Sequence, residues 1–104
     1  IRSFSRNRNT QNAACLSISG TLFNERRSKV TVLPFTSARA HDPRISAAAI
    51  LVPASPQNGL DADSLLVCVD PMTFDKTRLV QQVGQLESEL FSQAQEILQR
   101  YLEL

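Results

Sequence analysis

Apolar residues in this chain fall into short runs separated by polar, turn-rich stretches, with one longer periodic segment at the end. Ala14–Ser19 is apolar and bounded by polar residues, which predicts a strand. Lys29–Phe35 (Lys-Val-Thr-Val-Leu-Pro-Phe) sets β-branched residues close together and predicts a second, with an edge or bulge at Pro34, which has no N–H to donate. Gly20–Ser28 between them reads as a polar turn, with Phe23 as its inward anchor. Ile45–Val52 is a third strand. Its three alanines would suit a helix, but its length and the following Pro53 favour a strand. Pro53–Asp63 has a loop's composition. Ser64–Val69 is continuously apolar, as a buried strand is, and Asp70-Pro71 ends it. Val83–Leu86 is a last short strand.

The closing segment changes period. Leu90, Phe91, Ala94, Ile97, Leu98, Tyr101 and Leu102 fall on one face of an amphipathic helix. Ser88 is placed to cap it, and Glu89 to meet the positive end of its dipole. Phe91 and Tyr101 are expected in the core. Strands first and a helix last predict a small α+β domain, or a barrel-like sheet closed by a helix.

Composition adds limits. At 104 residues the chain is one domain's worth, and 42% hydrophobic with 20% charged residues is an ordinary globular mix. There is no apolar run long enough to span a membrane and no secretory signal, and the chain begins at Ile1 rather than Met. The expectation is that residues precede it and that the first strand is truncated. Cys15 and Cys68 lie in apolar strand segments and read as reduced core thiols of a cytoplasmic protein. No Cys/His cluster calls for a metal, and no cofactor is expected.

Charge is more informative than its net value of +1. Residues 1–44 carry eight Lys/Arg against two acids, and residues 45–104 three against eight. This asymmetry fits a basic surface for nucleic acid or an acidic partner, or equally two halves that fold together and neutralise each other. No P-loop, dinucleotide fingerprint, zinc-protease motif or nucleophile elbow is present. His41 stands alone in the polar stretch Thr36–Arg44.

An ordered series of short motifs carries more. Phe23-Asn24 is followed by Val30–Ser37, which ends Pro34-Phe35-Thr36-Ser37. Then come Gly59-Leu60-Asp61-Ala62-Asp63-Ser64, Thr73-Phe74-Asp75-Lys76-Thr77-Arg78-Leu79, Val83-Gly84-Gln85-Leu86 and the amphipathic helix. In order and spacing, residues 15–104 resemble the MazF/PemK family of bacterial toxins. The resemblance implies a small SH3-like β-barrel with a C-terminal helix, usually a homodimer. It also implies metal-independent cleavage of single-stranded RNA and neutralisation by an acidic antitoxin.

Some family positions are kept and others are not. Thr36 and Ser37 stand where the family has Thr-Ser at the end of its hydrophobic strand. The Arg-Pro that opens the family's second strand aligns with Ala13-Ala14, and the Arg and Asp that some members place around the later cysteine are Val67 and Val69 here. Metal-free RNA cleavage needs a base for the 2′-OH, stabilisation of the phosphorane and an acid for the leaving oxygen. The candidate catalytic residues are therefore Thr36, Ser37 and Asp70. The candidate RNA-binding residues are Arg6, Arg8, Arg26, Arg39, His41 and Arg44. Three readings stay open: a nuclease with shifted cations, a relative that only binds RNA or an antitoxin, and a protein-interaction domain resembling gyrase poisons.

Overall fold

The computed structural model describes residues 3–7, 13–37 and 47–104. Along them run β1 (Ser3–Asn7), β2 (Ala13–Ser17), α1 (Thr21–Arg26), β3 (Lys29–Ser37), β4 (Ala49–Val52), β5 (Ser64–Val67), β6 (Met72–Asp75), a single 3-10 turn (Lys76–Arg78), β7 (Leu79–Gln85) and α2 (Ser88–Leu102). The strands form one antiparallel sheet in the order β4-β5-β3-β2-β1-β7, with β6 on β3. The α+β class and the C-terminal helix match the expectation from sequence.

β3 organises the sheet. Its first residues pair with β6 (Lys29↔Asp75 to Val32↔Met72), its middle with β2 (Cys15↔Pro34 to Ser17↔Val32) and its end with β5 (Phe35↔Leu66 to Ser37↔Ser64). β6 takes up β3 where β5 leaves off, and Cys68–Pro71 makes the step between them. Pro34 sits where neither of these two strands pairs with β3, so β3 runs on past it to Ser37 instead of ending.

Side chains on successive strand residues point to opposite faces, and both faces of β2 and β3 are covered. Leu16 and Leu33 join Ile50, Val52, Leu66, Cys68, Leu86 and Ala94 in the larger core, beneath α2. Their neighbours Cys15 and Val32 join Val30 and Phe74 in a second cluster. Leu90, Phe91 and Ile97 of α2 pack on the larger core, as the helical period requires. The stripe then outruns the sheet, leaving Tyr101 54% exposed, which corrects its expected burial.

Strand pairing does not close the sheet. Among the described residues β4 and β7 remain unpaired with each other, and the loop between β4 and β5 bridges them. Gln85 N–H donates to Gln57 C=O at 3.0 Å. The approach demands glycines: a Cβ on Gly84 would lie 2.3 Å from Asn58 O, and one on Gly59 (φ +70°) 2.1 Å from Val83 O.

Asn58, fully buried, holds this loop together. Its Oδ1 accepts from Ser55 N–H and Leu60 N–H, each at 3.0 Å, and its Nδ2 donates to Pro53 C=O at 2.9 Å and Glu87 Oε1 at 3.2 Å. Ser55 Oγ donates to Glu87 Oε2 at 2.7 Å. Desolvation raises the Glu87 carboxyl, but the bonds from Ser55, its own backbone and Asn58 outweigh it and leave the group below its ordinary pKa. Glu87 is also the N-cap residue of α2, displacing the expected Ser88, and it makes no side-chain cap bond.

Other sequence expectations need revision. Gly20–Ser28 contains the helical turn α1, and Phe23 is 62% exposed rather than an inward anchor. Asn24 is the residue that ties this segment down: Ser19 Oγ donates to its Oδ1 at 2.5 Å, and its Nδ2 donates to Ser19 C=O at 3.0 Å. β1 lies where the resemblance implied a first strand ahead of Ala13; β6 was not anticipated, and β7 begins at Leu79, earlier than the pattern predicts. β4 begins only at Ala49, after a turn at Ala47-Ala48.

Candidate functional site

Most of the distinctive motif residues turn out to hold the fold. In Thr73–Leu79, the Thr73 hydroxyl meets that of Thr31 at 2.7 Å and Phe74 is buried. Asp75 Oδ1 accepts from Thr77 N–H at 2.9 Å, starting the 3-10 turn and holding the Asp75 carboxyl below its usual range. Lys76 Nζ donates to Asn24 C=O, and the Arg78 guanidinium lies 4.3 Å over the Phe74 ring. Cys15 and Cys68 are buried thiols not joined in a disulfide, each pushed up to about 11 by burial.

Thr36 is different. It is half-buried one residue before the end of β3 and lines a polar depression of about 220 Å³ with Ala14, Phe35, Leu60, Asp61, Ala62 and Ser64. The sheet register makes this neighbourhood. Antiparallel pairing sets Thr36 opposite Leu65, so the residues leading into β5 return beside the end of β3. Ala14 comes from β2, the next strand, and Arg6 of β1 stands directly opposite Ala14 in the register.

The segment that forms one wall is braced at both ends. Leu60 N–H donates to Asn58 Oδ1 at 3.0 Å, and Asp63 Oδ1 accepts from Ala54 N–H at 2.9 Å. Ser64 Oγ donates to Ala62 C=O at 3.0 Å. Asp61 and Ser64 therefore line the same depression as Thr36 from a segment whose ends are held by hydrogen bonds.

The sequence candidates divide accordingly. Ser37 ends β3 beside Thr36 and pairs with Ser64. Asp70 is exposed in the step after β5, and β5 runs away from the depression, so Asp70 lies past its far end. Arg26 is exposed in the last turn of α1, just before Lys29 begins β3. Thr36 lies seven residues beyond Lys29, roughly 23 Å of extended strand. Arg8, Arg39, His41 and Arg44 lie outside the described residues. Asp61 and Ser64 were missed as site residues. They belong to a motif visible in sequence, but only the β3–β5 pairing brings them to Thr36.

The architecture is therefore an antiparallel sheet under a C-terminal helix, with a depression at the end of the central strand. The model of the PemK-like, MazF-like toxins of type II toxin–antitoxin systems matches residues 3–102, and the chain belongs to that family. Its fold is that of a Mycobacterium tuberculosis toxin, MazF-mt6 (TM-score 0.84, 20% identity, covering 99% of this chain and 98% of that one). It is similar also to MazF in a MazE-MazF crystal structure from Deinococcus radiodurans (TM-score 0.78, 15% identity, 99% and 92% covered). A third likeness is to an endoribonuclease solved with its cognate antitoxin from a mycobacterial species (TM-score 0.72, 16% identity, 99% and 92% covered). Compared by sequence with curated proteins, the chain has no significant match.

Proposed function

We propose that this chain is, as a single domain, the toxin of a toxin–antitoxin pair and a metal-independent endoribonuclease that cuts single-stranded RNA at the Thr36 depression. The observation that carries this reading is the polar depression itself, placed at the kept family residue Thr36 in a chain that belongs to the family. RNA carries its own nucleophile, the 2′-OH, so the protein need only move protons and stabilise charge. The Thr36 hydroxyl donates to a non-bridging phosphate oxygen, with Ser37 beside it. Arg6, whose backbone stands opposite Ala14 in the register, is assigned in this reading to phosphate binding. Arg8, Arg39, His41 and Arg44 extend phosphate binding along the RNA. In this reading the toxin acts in the cytoplasm as a homodimer, and an acidic antitoxin silences it.

A second reading has its own support. Ala13-Ala14 stands where the family has Arg-Pro, so a relative that binds RNA or antitoxin without cutting would look like this. Exposed Tyr101, Leu102 and Leu104 at the end of α2 are what a protein-binding role would use. Incubation of the purified, folded, antitoxin-free protein with a long single-stranded RNA in EDTA, read by primer extension, separates them. Discrete cuts ending in 2′,3′-cyclic phosphate support the nuclease. An intact RNA refutes it and leaves the binding role.

A further inference from the structure

We infer that Asp61, not Asp70, is the acid–base carboxylate of the RNA-cleavage site; the inference rests on the nuclease reading above. The argument is one of placement. Among the described residues, Asp61 is the one acid that lines the depression with Thr36. Asp63, Glu87 and Asp75 do not line it. Glu25 lies in α1, at the other end of β3 from Thr36, and Asp70 lies past the far end of β5. Glu89, Glu96 and Glu103 belong to α2 and its C-cap, and none of them lines the depression.

The geometry of the wall suits the role. Asp61 is exposed, so a phosphodiester can reach it, yet it follows Leu60, whose N–H is held by Asn58, and precedes Asp63, held by Ala54. A general base must meet its proton at hydrogen-bond distance, which favours a group on a fixed wall over one on a free loop.

In the step, the Asp61 carboxylate takes the proton of the ribose 2′-OH. The 2′-oxygen forms a bond to phosphorus and the P–O5′ bond breaks. The leaving 5′-oxygen takes a proton from water, giving a 2′,3′-cyclic phosphate and a 5′-hydroxyl. Thr36 holds the phosphate throughout. Asp61 then returns its proton to solvent.

The test compares Asp61→Asn, Asp61→Glu, Asp70→Asn and the natural chain on one single-stranded RNA oligonucleotide that the natural chain cuts. Single-turnover rates are measured across pH, together with RNA affinity and thermal unfolding. A base contribution of about 100-fold or more is expected to vanish in Asp61→Asn, with RNA binding and unfolding kept. Asp61→Glu recovers part of the rate, Asp70→Asn keeps it all, and the acid limb of the pH–rate profile disappears in Asp61→Asn. An Asp61→Asn rate within about threefold of the natural one, or a rate loss in Asp70→Asn instead, overturns the assignment while leaving the nuclease reading intact. A natural chain that cuts no RNA overturns both. Should Asp61→Asn unfold early, the pH profile of Asp61→Glu decides, because a new carboxylate position moves the acid limb only if that group titrates in the reaction.

Discussion

Replacing Asn58 by Ala tests whether one buried amide holds the loop that bridges the sheet. The side chain accepts from two backbone N–H groups, of Ser55 and Leu60, and donates to Pro53 C=O and Glu87. Leaving a buried N–H without an acceptor costs about 1–3 kcal/mol. Ser55 and Leu60 are half-buried, so water can reach them in part, and about 1 kcal/mol each is the appropriate share. Pro53 is exposed and its carbonyl rehydrates. The site is fully buried, and a void of roughly 40 Å³ adds about 1 kcal/mol. The total is about 3 kcal/mol, or roughly 12–18 °C in Tm for a domain of this size. Urea unfolding of both proteins, followed by circular dichroism, gives the difference directly. A loss below about 1 kcal/mol would falsify the claim that Asn58 organises the loop. The companion Ser55→Ala removes one bond to Glu87 and one from Asn58 N–H, and it is expected to be strongly non-additive with Asn58→Ala.

Four further outcomes follow from the same structure. Gly84→Ala puts a methyl 2.3 Å from Asn58 O and 2.6 Å from Gln57 O, both backbone atoms, so the loop must retreat; a loss of about 1–3 kcal/mol is expected in thermal unfolding, and unchanged stability would show that the approach is loose. The Glu87 carboxyl is depressed by its hydrogen bonds, so its contribution is present above its unfolded pKa near 4.5 and is lost as pH falls through the lower folded value; Glu87→Gln should flatten stability between about pH 5 and 3, and parallel curves would refute this. With both thiols pushed up to about 11 and buried, Cys15 and Cys68 should resist Ellman's reagent at pH 8 until the protein unfolds; fast labelling of the native chain would contradict the burial. Thr36→Ala should cut RNA at least about tenfold more slowly without changing Tm, whereas an unchanged rate moves the phosphate site elsewhere.

Local pattern was enough for some of this molecule. The 3.6-residue period over Leu90–Leu102 specifies a helix with one apolar face, and Leu90, Phe91, Ala94 and Ile97 of that face lie on the core. Ser64–Val69 reads as a buried strand because both its faces are apolar; the strand covers Ser64–Val67 of it, and Leu65, Leu66 and Val67 are all buried. The kept Thr36 was legible as a motif residue. Where neighbours decide, pattern failed. α1 is built on the hydrogen bonds of Asn24 to Ser19 and from Lys76, a residue 52 positions away, and no local rule reveals them. Phe23 looked like an anchor because it is aromatic, but α1 turns it to solvent.

The sequence by itself determined the α+β class, the terminal helix, the apolar strands and the family, because hydrophobic period and motif order are properties of the chain alone. Only the tertiary structure decided which residues meet. The pairing of β1 with β2 sets Arg6 opposite Ala14, and the pairing of β3 with β5 brings Asp61 and Ser64 to Thr36. The same β5 carries Asp70 away from that end. Strand register is fixed by long-range pairing of faces, and a shift of one residue would exchange every inward side chain for an outward one. That is why the depression, and the choice between two aspartates nine residues apart, cannot be read until the strands are in place.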